Sequence, residues 1–176
     1  MYETASGTGE HICFFGEKFP GITWYPSDKS SDLFWAIRQR ALVQNNIMEP
    51  SVIDLTNQEP DIVSIKCVAV ININMIHIAP WEACTGLFRL ARSLTKKDGF
   101  VYLYGPFKIR GLHTSESNRK FDISLRKQDP NWGIRDLEDV VNVAEKFGFH
   151  HFSSHEMPVN NKSVIFKKIK QKQSGI

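Results

Sequence analysis

The stretch that decides the fold is ETASGTGEH, residues 3–11, which places Gly7 and Gly9 in a short turn ahead of a helix-like segment. Turns of this kind present backbone N–H groups to a ligand at a helix N-terminus, and their small residues let the ligand approach closely. A dinucleotide fingerprint would need a glycine where Ile12 stands, and the phosphate-loop pattern G-x-x-x-x-G-K-[ST] is absent. The turn therefore predicts a ligand site and disfavours the common NAD and ATP sites.

Outward from this turn, apolar runs alternate with segments of helical spacing. A helix is predicted over 9–21, a strand ending at Asp28, a helix over 32–46, and strands over 50–55 and 67–76. A further helix is predicted over 80–99, stopping at Asp98 and Gly99, before a strand over 99–107. Nearly continuous apolar strands alternating with helices indicate a parallel, doubly wound α/β sheet of Rossmann-like type.

The last third of the chain departs from this alternation. Helices are predicted over 115–128 and 135–148, followed by two strands joined by VNNK, an asparagine-rich hairpin signal at 159–162. The sheet is therefore predicted to be mostly parallel and to end in an antiparallel C-terminal hairpin.

Length and composition limit the classes of protein that this chain can represent. Its 176 residues fit one domain, and no apolar run approaches the roughly 20 residues that span a bilayer. The net charge of +3 rests on four lysines in the last ten residues, so a nucleic-acid partner is not indicated. Three widely spaced cysteines without a CxxC motif predict reduced thiols in a cytoplasmic protein and no metal site.

Two acidic residues stand at predicted strand ends after the glycine turn. Asp28 lies 19 residues beyond Gly9, where a carboxylate can accept hydrogen bonds from two ribose hydroxyls. Asp54 ends the next strand and could meet an adenine amino group. Either residue alone is a common turn former, but the ordered set of turn, acid and second acid predicts a nucleoside-containing cofactor.

This set resembles the class I S-adenosylmethionine-dependent methyltransferases, and more narrowly the methyltransferase-like protein 26 family, whose substrate is not established. The matching stretches follow one another along nearly the whole chain: ASGTGEH, PSD, INMIHIAPWEA, LYGPF, HTSESNRKFDISLR, DPNWGIRDLEDV and MPVNNKSVIFKK. The resemblance implies a seven-stranded sheet with an antiparallel last strand and S-adenosyl-L-methionine as cofactor. Ala5 stands where many class I enzymes carry a first glycine.

The resemblance also assigns cofactor-binding residues. It implies that the methionine moiety lies among Glu3, Ala5, Ser6, Gly7 and Gly9. Further cofactor-binding candidates are His11, Asp28 on the ribose, Asp54 with Leu55 near the adenine, and Asn74. Family members carry a helix and a full strand before ASGTG, whereas only four residues precede it here. The expectation is an N-terminally shortened methyltransferase-like domain over 1–169, with a basic tail over 170–176.

Catalytic candidates end the fourth predicted strand. The Asn74 amide could orient an attacking group, and a neutral His77 could take its proton. The alternative is that Asn74 contacts only the cofactor and that His77 caps a turn. Residues 105–135 begin with loop-like composition and are predicted to cover the pocket. The acceptor candidates there and in the hairpin are Tyr104, His113, Asn118, Trp132, Arg135, Asn160 and Asn161.

The function predicted from these residues is methyl transfer from S-adenosylmethionine to a small-molecule acceptor. One alternative is a non-catalytic binding or interaction module that has kept the cofactor turn. Another is a nucleic-acid methyltransferase, for which the chain lacks a basic body and the Asn-Pro-Pro-aromatic tetrapeptide, with NMIH at 74–77 instead. The sequence leaves the acceptor and the oligomeric state open.

Overall fold

A computed structural model describes residues 1–57 and 65–169, so the predicted basic tail over 170–176 lies outside the described residues. The helices are α1 (Glu10–Lys18), α2 (Phe34–Ala41), α3 (Trp81–Leu94), α4 (Glu116–Gln128) and α5 (Leu137–Lys146). The strands are β1 (Tyr2–Thr4), β2 (Tyr25–Asp28), β3 (Ser51–Val52), β4 (Cys67–Ile73), β5 (Thr95–Gly105), β6 (Phe107–Ile109), β7 (Leu112–His113), β8 (Arg135–Asp136), β9 (Phe149–Met157) and β10 (Asn161–Lys168). A single 3₁₀ turn, Pro158–Asn160, connects β9 to β10.

The main sheet has seven strands in the order β3-β2-β1-β4-β5-β10-β9. Strands β1 to β5 run parallel, whereas β10 is antiparallel to both β5 and β9. This arrangement confirms the predicted mixed sheet and its C-terminal hairpin. The strand order reverses between β1 and β4, because the chain leaves β1 toward β2 on one side and returns to β4 on the other. Ligands of open α/β sheets bind at such a point, beyond the carboxyl ends of the strands.

Helices cover both faces of the sheet. Val70 belongs to the larger core cluster, which α3 and α5 share with the sheet, whereas the next residue, Ile71, belongs to a smaller cluster beneath α1. Successive residues of a strand point to opposite faces, so the two clusters are the two sides of one sheet. In the larger cluster, Phe88 of α3 packs against Phe149 and Phe166. The three cysteines are buried and unpaired.

The third helix ends earlier than its sequence predicts. Thr95 is extended and pairs with Cys67 of β4, so residues 95–99 already belong to β5 and not to the helix. A bulge between Cys67 and Ala69 takes up the extra length of β5. Pairing with β4 outweighs the helical spacing at this point, and Asp98 adopts a left-handed φ of 63° within the bulged strand. The predicted stop at Asp98 and Gly99 is therefore wrong by four residues.

The predicted loop after β5 is also wrong, because this segment forms a small sheet. Strands β6, β7 and β8 make a three-stranded sheet in the order β7-β6-β8. Arg110 and Gly111 both have positive φ, which suits the two-residue turn between β6 and β7. Phe107 is buried in the main core and holds the small sheet against it. Within the described residues, no helix has the length and apolarity needed to cross a membrane.

Candidate functional site

The glycine turn lies at the carboxyl end of β1, with each of its two glycines in a different environment. Gly7 has φ +53°, and a Cβ added there would meet no atom within 4 Å, so the turn is open on that side. Gly9 has φ +80°, and its Cβ would lie 3.0 Å from Cγ1 of Ile37, so Gly9 allows α1 to pack closely on α2. The Gly7 N–H donates to Oδ2 of Asp28 at 2.9 Å, which joins the turn to the end of β2. Ala5 is also left-handed, with φ 56°.

A cavity of about 440 Å³ lies in front of this turn, at the point where the strand order reverses. Its wall combines two carboxylates with a long apolar surface. The lining residues are Ala5, Gly7, Asp28, Lys29, Ile53, Asp54, Leu55, Thr56, Ile73, Asn74, Met75, Ile78, Ala79, Pro80 and Ala83. We call this space the first cavity. It holds six of the ten predicted cofactor-binding residues: Ala5, Gly7, Asp28, Asp54, Leu55 and Asn74.

Negative charge characterises the polar part of the first cavity. The backbone N–H and Oγ1 of Thr56 both donate to Oδ1 of Asp54, and these bonds hold the pKa of Asp54 below its usual value. Asp28 accepts from Gly7 through one oxygen and from the Lys29 N–H through the other. Two carboxylates beside an apolar wall suit the ribose and base of a nucleoside, and they outnumber the one cation in the wall, Lys29, so phosphate groups are disfavoured.

Glu3 is the most isolated charged group near the turn. Its side chain is 2% exposed, and Oε2 has no hydrogen-bond partner. Burial raises the pKa of Glu3 from its usual 4.5 to about 7; a hydrogen bond from Ser6 lowers it, and the charge of Asp28 raises it further. A cationic group near the turn would favour the ionised form of Glu3. A buried carboxyl with one unpartnered oxygen is consistent with a positively charged ligand at the turn.

The remaining predicted cofactor residues have other positions. Ser6 is buried, and its hydroxyl accepts from the Ser27 N–H at 3.2 Å, which fixes the turn to β2. His11 is exposed on α1 and does not line the first cavity. Glu3 and Gly9 lie beneath and behind the turn and do not line the cavity either. Of the four predicted cofactor residues outside the cavity, Ser6 and Gly9 therefore stabilise the conformation and packing of the turn.

Asn74 stands between the first cavity and a second one. It follows β4 with a left-handed φ of 55°, a conformation that asparagine tolerates better than most residues, and its N–H donates to the Tyr104 carbonyl at 2.9 Å. Gly105 lies against it. A Cβ on Gly105 would lie 3.3 Å from both Oδ1 of Asn74 and Cε1 of His77. Gly105 therefore lets the Asn74 and His77 side chains lie close to the end of β5.

The second cavity has a volume of about 480 Å³ and shares Asn74 and Ile78 with the first. Its lining residues are Asn74, His77, Ile78, Pro106, Ser117, Asn118, Phe121, Val159 and Asn161. Elements distant in sequence form it: the end of β4, the start of α4 and the β9–β10 turn. Of the two predicted catalytic residues, Asn74 lines both cavities and His77 lines the second.

His77 is a buried, neutral imidazole. It is 3% exposed, its Nδ1 has no hydrogen-bond partner, and the Phe121 ring meets it edge-on at 5.6 Å. Burial lowers the pKa of His77 from 6.5 to about 4, and the positive charge of Arg135 lowers it further. At neutral pH the ring therefore carries no charge, and its free nitrogen can accept a proton or a hydrogen bond.

The predicted acceptor residues divide into two groups. Asn118 and Asn161 line the second cavity. Nδ2 of Asn161 donates to the Tyr104 hydroxyl at 3.3 Å, and Nδ2 of Asn118 donates to the Asn160 carbonyl at 3.0 Å. These four residues therefore form or support the wall of the second cavity, and their contact with an acceptor stays a prediction.

The other three acceptor candidates do not line the second cavity. Arg135 donates to the carbonyls of Ile76 and Ala79 and lies over the Trp81 ring, so it fixes the segment that carries His77. Nε2 of His113 lies 3.0 Å from Oδ2 of Asp122. The N–H of Trp132 donates to the carbonyl of Asp129 within a turn. The structure assigns all three to contacts that hold the framework together.

Sequence reasoning missed five residues of the second cavity: Ile78, Pro106, Ser117, Phe121 and Val159. A signal for two of them exists in the helix that begins after the Ser115 N-cap. Ser117 and Phe121 are separated by four residues and lie on one helix face beside Asn118. No such signal marks Val159, which reaches the cavity only through the folding of the hairpin. Within 1–57 and 65–169, no three His, Cys, Asp or Glu side chains group closely enough to hold a metal ion.

Comparisons with known proteins agree with this architecture. A family model described as "Protein of unknown function (DUF938)" matches residues 1–168. An O-methyltransferase family protein from Burkholderia thailandensis superposes with a TM-score of 0.82 at 12% identity, covering 97% of this chain and 51% of that one. A putative O-methyltransferase from Nostoc punctiforme gives 0.80 at 15% identity, with 95% and 51% covered.

A third solved structure, human N-acetylserotonin methyltransferase in complex with SAM, gives a TM-score of 0.76 at 14% identity and covers 96% of this chain and 47% of that one. The chain thus spans about half the length of these three proteins. Identities this low show the fold alone, and that fold is the Rossmann-like fold of methyltransferases.

Proposed function

This chain belongs to the DUF938 family of proteins of unknown function, and from its site we propose that it is an S-adenosylmethionine-dependent methyltransferase acting on a small molecule. Solved structures of the same fold include methyltransferases, one of them in complex with SAM. The residue pattern that resembles the methyltransferase-like protein 26 family supports the same proposal. We further propose that the protein acts in the cytoplasm, which its unpaired cysteines favour, and that residues 1–169 form a methyltransferase-like domain.

A single observation carries the proposal: two cavities meet at Asn74. The first has a glycine turn and two strand-end carboxylates, and the second has amides and a neutral histidine. Methyl transfer is an in-line displacement that needs donor and acceptor held about 3 Å apart in a fixed orientation. Adjoining cavities of this kind can hold two ligands with their reactive atoms at the shared boundary.

The residues of the first cavity fit the proposed cofactor. Asp28 is placed for the ribose hydroxyls, and Asp54 with Leu55 for the adenine, while the open side of Gly7 leaves room for the methionine part. The buried carboxyl of Glu3 would be ionised by the positive charges of the cofactor. When bound, S-adenosyl-L-methionine supplies an electrophilic methyl group.

In the second cavity, the proposal gives Asn74 and His77 the chemical roles. The Asn74 carboxamide orients the attacking group of the acceptor, and Nδ1 of His77 accepts the proton that this group releases. Asn118 and Asn161 hold the polar part of the acceptor, supported from behind by Tyr104 and Asn160. The buried position of His77 keeps water away from the proton transfer.

The glycine turn offers a sharp test of cofactor binding. Gly7→Val places a branched side chain on the open side of the turn at a left-handed φ, so calorimetry should show S-adenosylmethionine affinity falling by more than about tenfold. Gly148→Val is the matched control. Gly148 also has a left-handed φ, +82°, with no atom within 4 Å of its Cβ position, but it lines neither cavity.

The two variants separate backbone strain from loss of the binding site. Both should lose stability in a thermal melt, because each forces a β-branched residue into the left-handed region. Only Gly7→Val should lose affinity for S-adenosylmethionine or S-adenosylhomocysteine. If the folded, unmodified protein releases no heat with either compound, the proposed function is wrong.

A further inference from the structure

The second cavity differs from the first cavity in the charge of its lining residues. Among the described residues, its nine lining side chains are amides, one hydroxyl, apolar groups and His77, and none carries a charge at neutral pH. The first cavity, by contrast, contains Asp28, Asp54 and Lys29. The inference drawn from this contrast rests on the proposed function and concerns the class of acceptor.

The lack of charge argues against ionic acceptors. A carboxylate or phosphate entering the second cavity would lose its hydration without meeting a cation, and an ammonium ion would meet no carboxylate there. Uncompensated burial of an ion costs several kcal/mol. An ammonium ion would also have to lose a proton before its nitrogen could attack. A neutral acceptor avoids the cost of burying an ion.

Two apolar side chains indicate the body of the acceptor. Val159 is 82% exposed although it is a branched residue with φ +60° and ψ +34°, at a turn position where glycine or asparagine is favoured. Phe121 is 40% exposed on the first half of α4. Strain at a position that lines a cavity is typical of sites retained for binding. Both side chains offer apolar surface that the protein itself leaves uncovered.

The polar end of the acceptor should lie at His77. Its Nδ1 is unpartnered although the ring is almost fully buried, and Oδ1 of Asn74 lies beside the same wall near Gly105. In the tautomer that carries the ring proton on Nε2, Nδ1 accepts a hydrogen bond, and a ligand hydroxyl would supply the donor. A weak base of this kind is best matched by a hydroxyl that is itself weakly acidic, as in a phenol or an enol.

We propose that the second cavity accepts an uncharged, weakly acidic hydroxyl compound with an apolar body, with the hydroxyl directed to Asn74 and His77 and the body placed against Phe121 and Val159. In the reaction, the hydroxyl oxygen forms a bond to the methyl carbon, and the carbon–sulfur bond breaks with its electron pair left on sulfur. The hydroxyl proton passes to Nδ1 of His77. The positive charge lost from the sulfonium thus appears on the imidazolium, and no other reactant is needed.

A matched set of probes tests the class. 4-Methylphenol, 4-methylbenzoate and 4-methylbenzylamine share one apolar body and differ in charge. Ligand-observed NMR on the full chain, with and without S-adenosylhomocysteine, measures their binding. 4-Methylphenol should bind at least about tenfold more tightly than either ion. Incubation with S-adenosylmethionine should then yield its methyl ether, detected by mass spectrometry.

Two substitutions assign the binding to this cavity. Phe121→Ala should weaken 4-methylphenol binding several-fold, whereas Phe152→Ala should not, because Phe152 is 53% exposed on β9 and lines neither cavity. His77→Gln should retain cofactor affinity but lose ether formation.

The outcomes distinguish this inference from the proposed function. Binding of either ion as tight as that of 4-methylphenol overturns the inference, and so does the absence of 4-methylphenol binding by a protein that binds the cofactor. Failure of cofactor binding by calorimetry overturns the proposed function instead. In that case the NMR arm without cofactor still decides whether the cavity selects a neutral hydroxyl compound.

Discussion

At the scale of single residues, the ionisation of Glu3 beside the glycine turn makes the stability of the folded protein depend on pH. Its carboxyl is buried without a partner for Oε2, and burial is the main reason that its pKa rises to about 7. The unfolded chain ionises this group near its usual 4.5. The protonated form is thus favoured in the folded state, so the stability linked to Glu3 is fully present below about 4.5 and is lost as the pH rises through about 7.

Glu3→Gln should remove this pH dependence, because the amide keeps the shape of the protonated acid and cannot ionise. One pKa unit corresponds to about 1.4 kcal/mol, so the difference between 4.5 and about 7 should make the variant without ligand more stable than the unmodified protein by roughly 3 kcal/mol at pH 8. At pH 4.5 the two should be nearly equal. Urea unfolding at both pH values measures the difference.

Glu17→Gln is the control for this prediction. Glu17 is an exposed residue of α1 that pairs with the neighbouring Lys18 on the surface. Its replacement should change the free energy of unfolding by only a few tenths of a kcal/mol at either pH. An equal response of Glu3→Gln and Glu17→Gln would mean that Glu3 is solvated and that its burial has no energetic consequence.

At the scale of elements, the β9–β10 hairpin holds Val159 in a strained backbone conformation at a position that lines the proposed acceptor site. Val159 and Asn160 both have positive φ, the geometry of a tight turn that favours asparagine and glycine. The VNNK signal predicted a hairpin, and the structure has one, with Val159 at a position where a branched side chain is strained. This position also faces the second cavity.

Val159→Asn should therefore stabilise the protein by about 1 kcal/mol, the usual order of the left-handed penalty, while weakening the binding of 4-methylphenol. Val68→Asn provides the contrast. Val68 is an exposed valine of β4 in extended backbone, where asparagine is disfavoured, so this change should destabilise. Thermal melts and NMR titrations of both variants suffice. A loss of stability in Val159→Asn would contradict the assignment of strain to Val159.

At the scale of the whole molecule, the first cavity gathers residues from β1, β2, β4 and the segment after β3, so its ligand should stabilise the entire sheet. S-adenosylhomocysteine at 100 times its Kd should add about 2.7 kcal/mol, which corresponds to a Tm increase of roughly 5–11 °C for a chain of this size. ATP at the same concentration should give a smaller shift, because Asp28 and Asp54 outnumber the single cation Lys29 in the cavity wall and disfavour its phosphates. Equal shifts with both compounds would refute the cofactor preference.

The sequence alone determined the order of the elements of the main sheet and six residues of the first cavity. Alternating apolar runs and helical spacings predicted the mixed sheet, because these periods are local properties of the chain. The glycine turn with Asp28 and Asp54 predicted the ligand edge, because residues at the carboxyl ends of neighbouring parallel strands must meet. Six of the ten predicted cofactor residues line that cavity for this reason.

Only the tertiary structure determined which residues line the second cavity. Its walls come from β4, α4 and the hairpin turn, and no local pattern specifies how those three elements approach one another. Because local patterns do not specify how elements pack together, the sequence also misplaced the end of α3, the segment after β5 and the role of Arg135. Pairing with β4 ended α3 at Leu94, and burial of Phe107 made a small sheet of a segment with loop composition. Arg135 was expected at the acceptor but instead binds main-chain carbonyls, because burial decides which of its possible partners it meets.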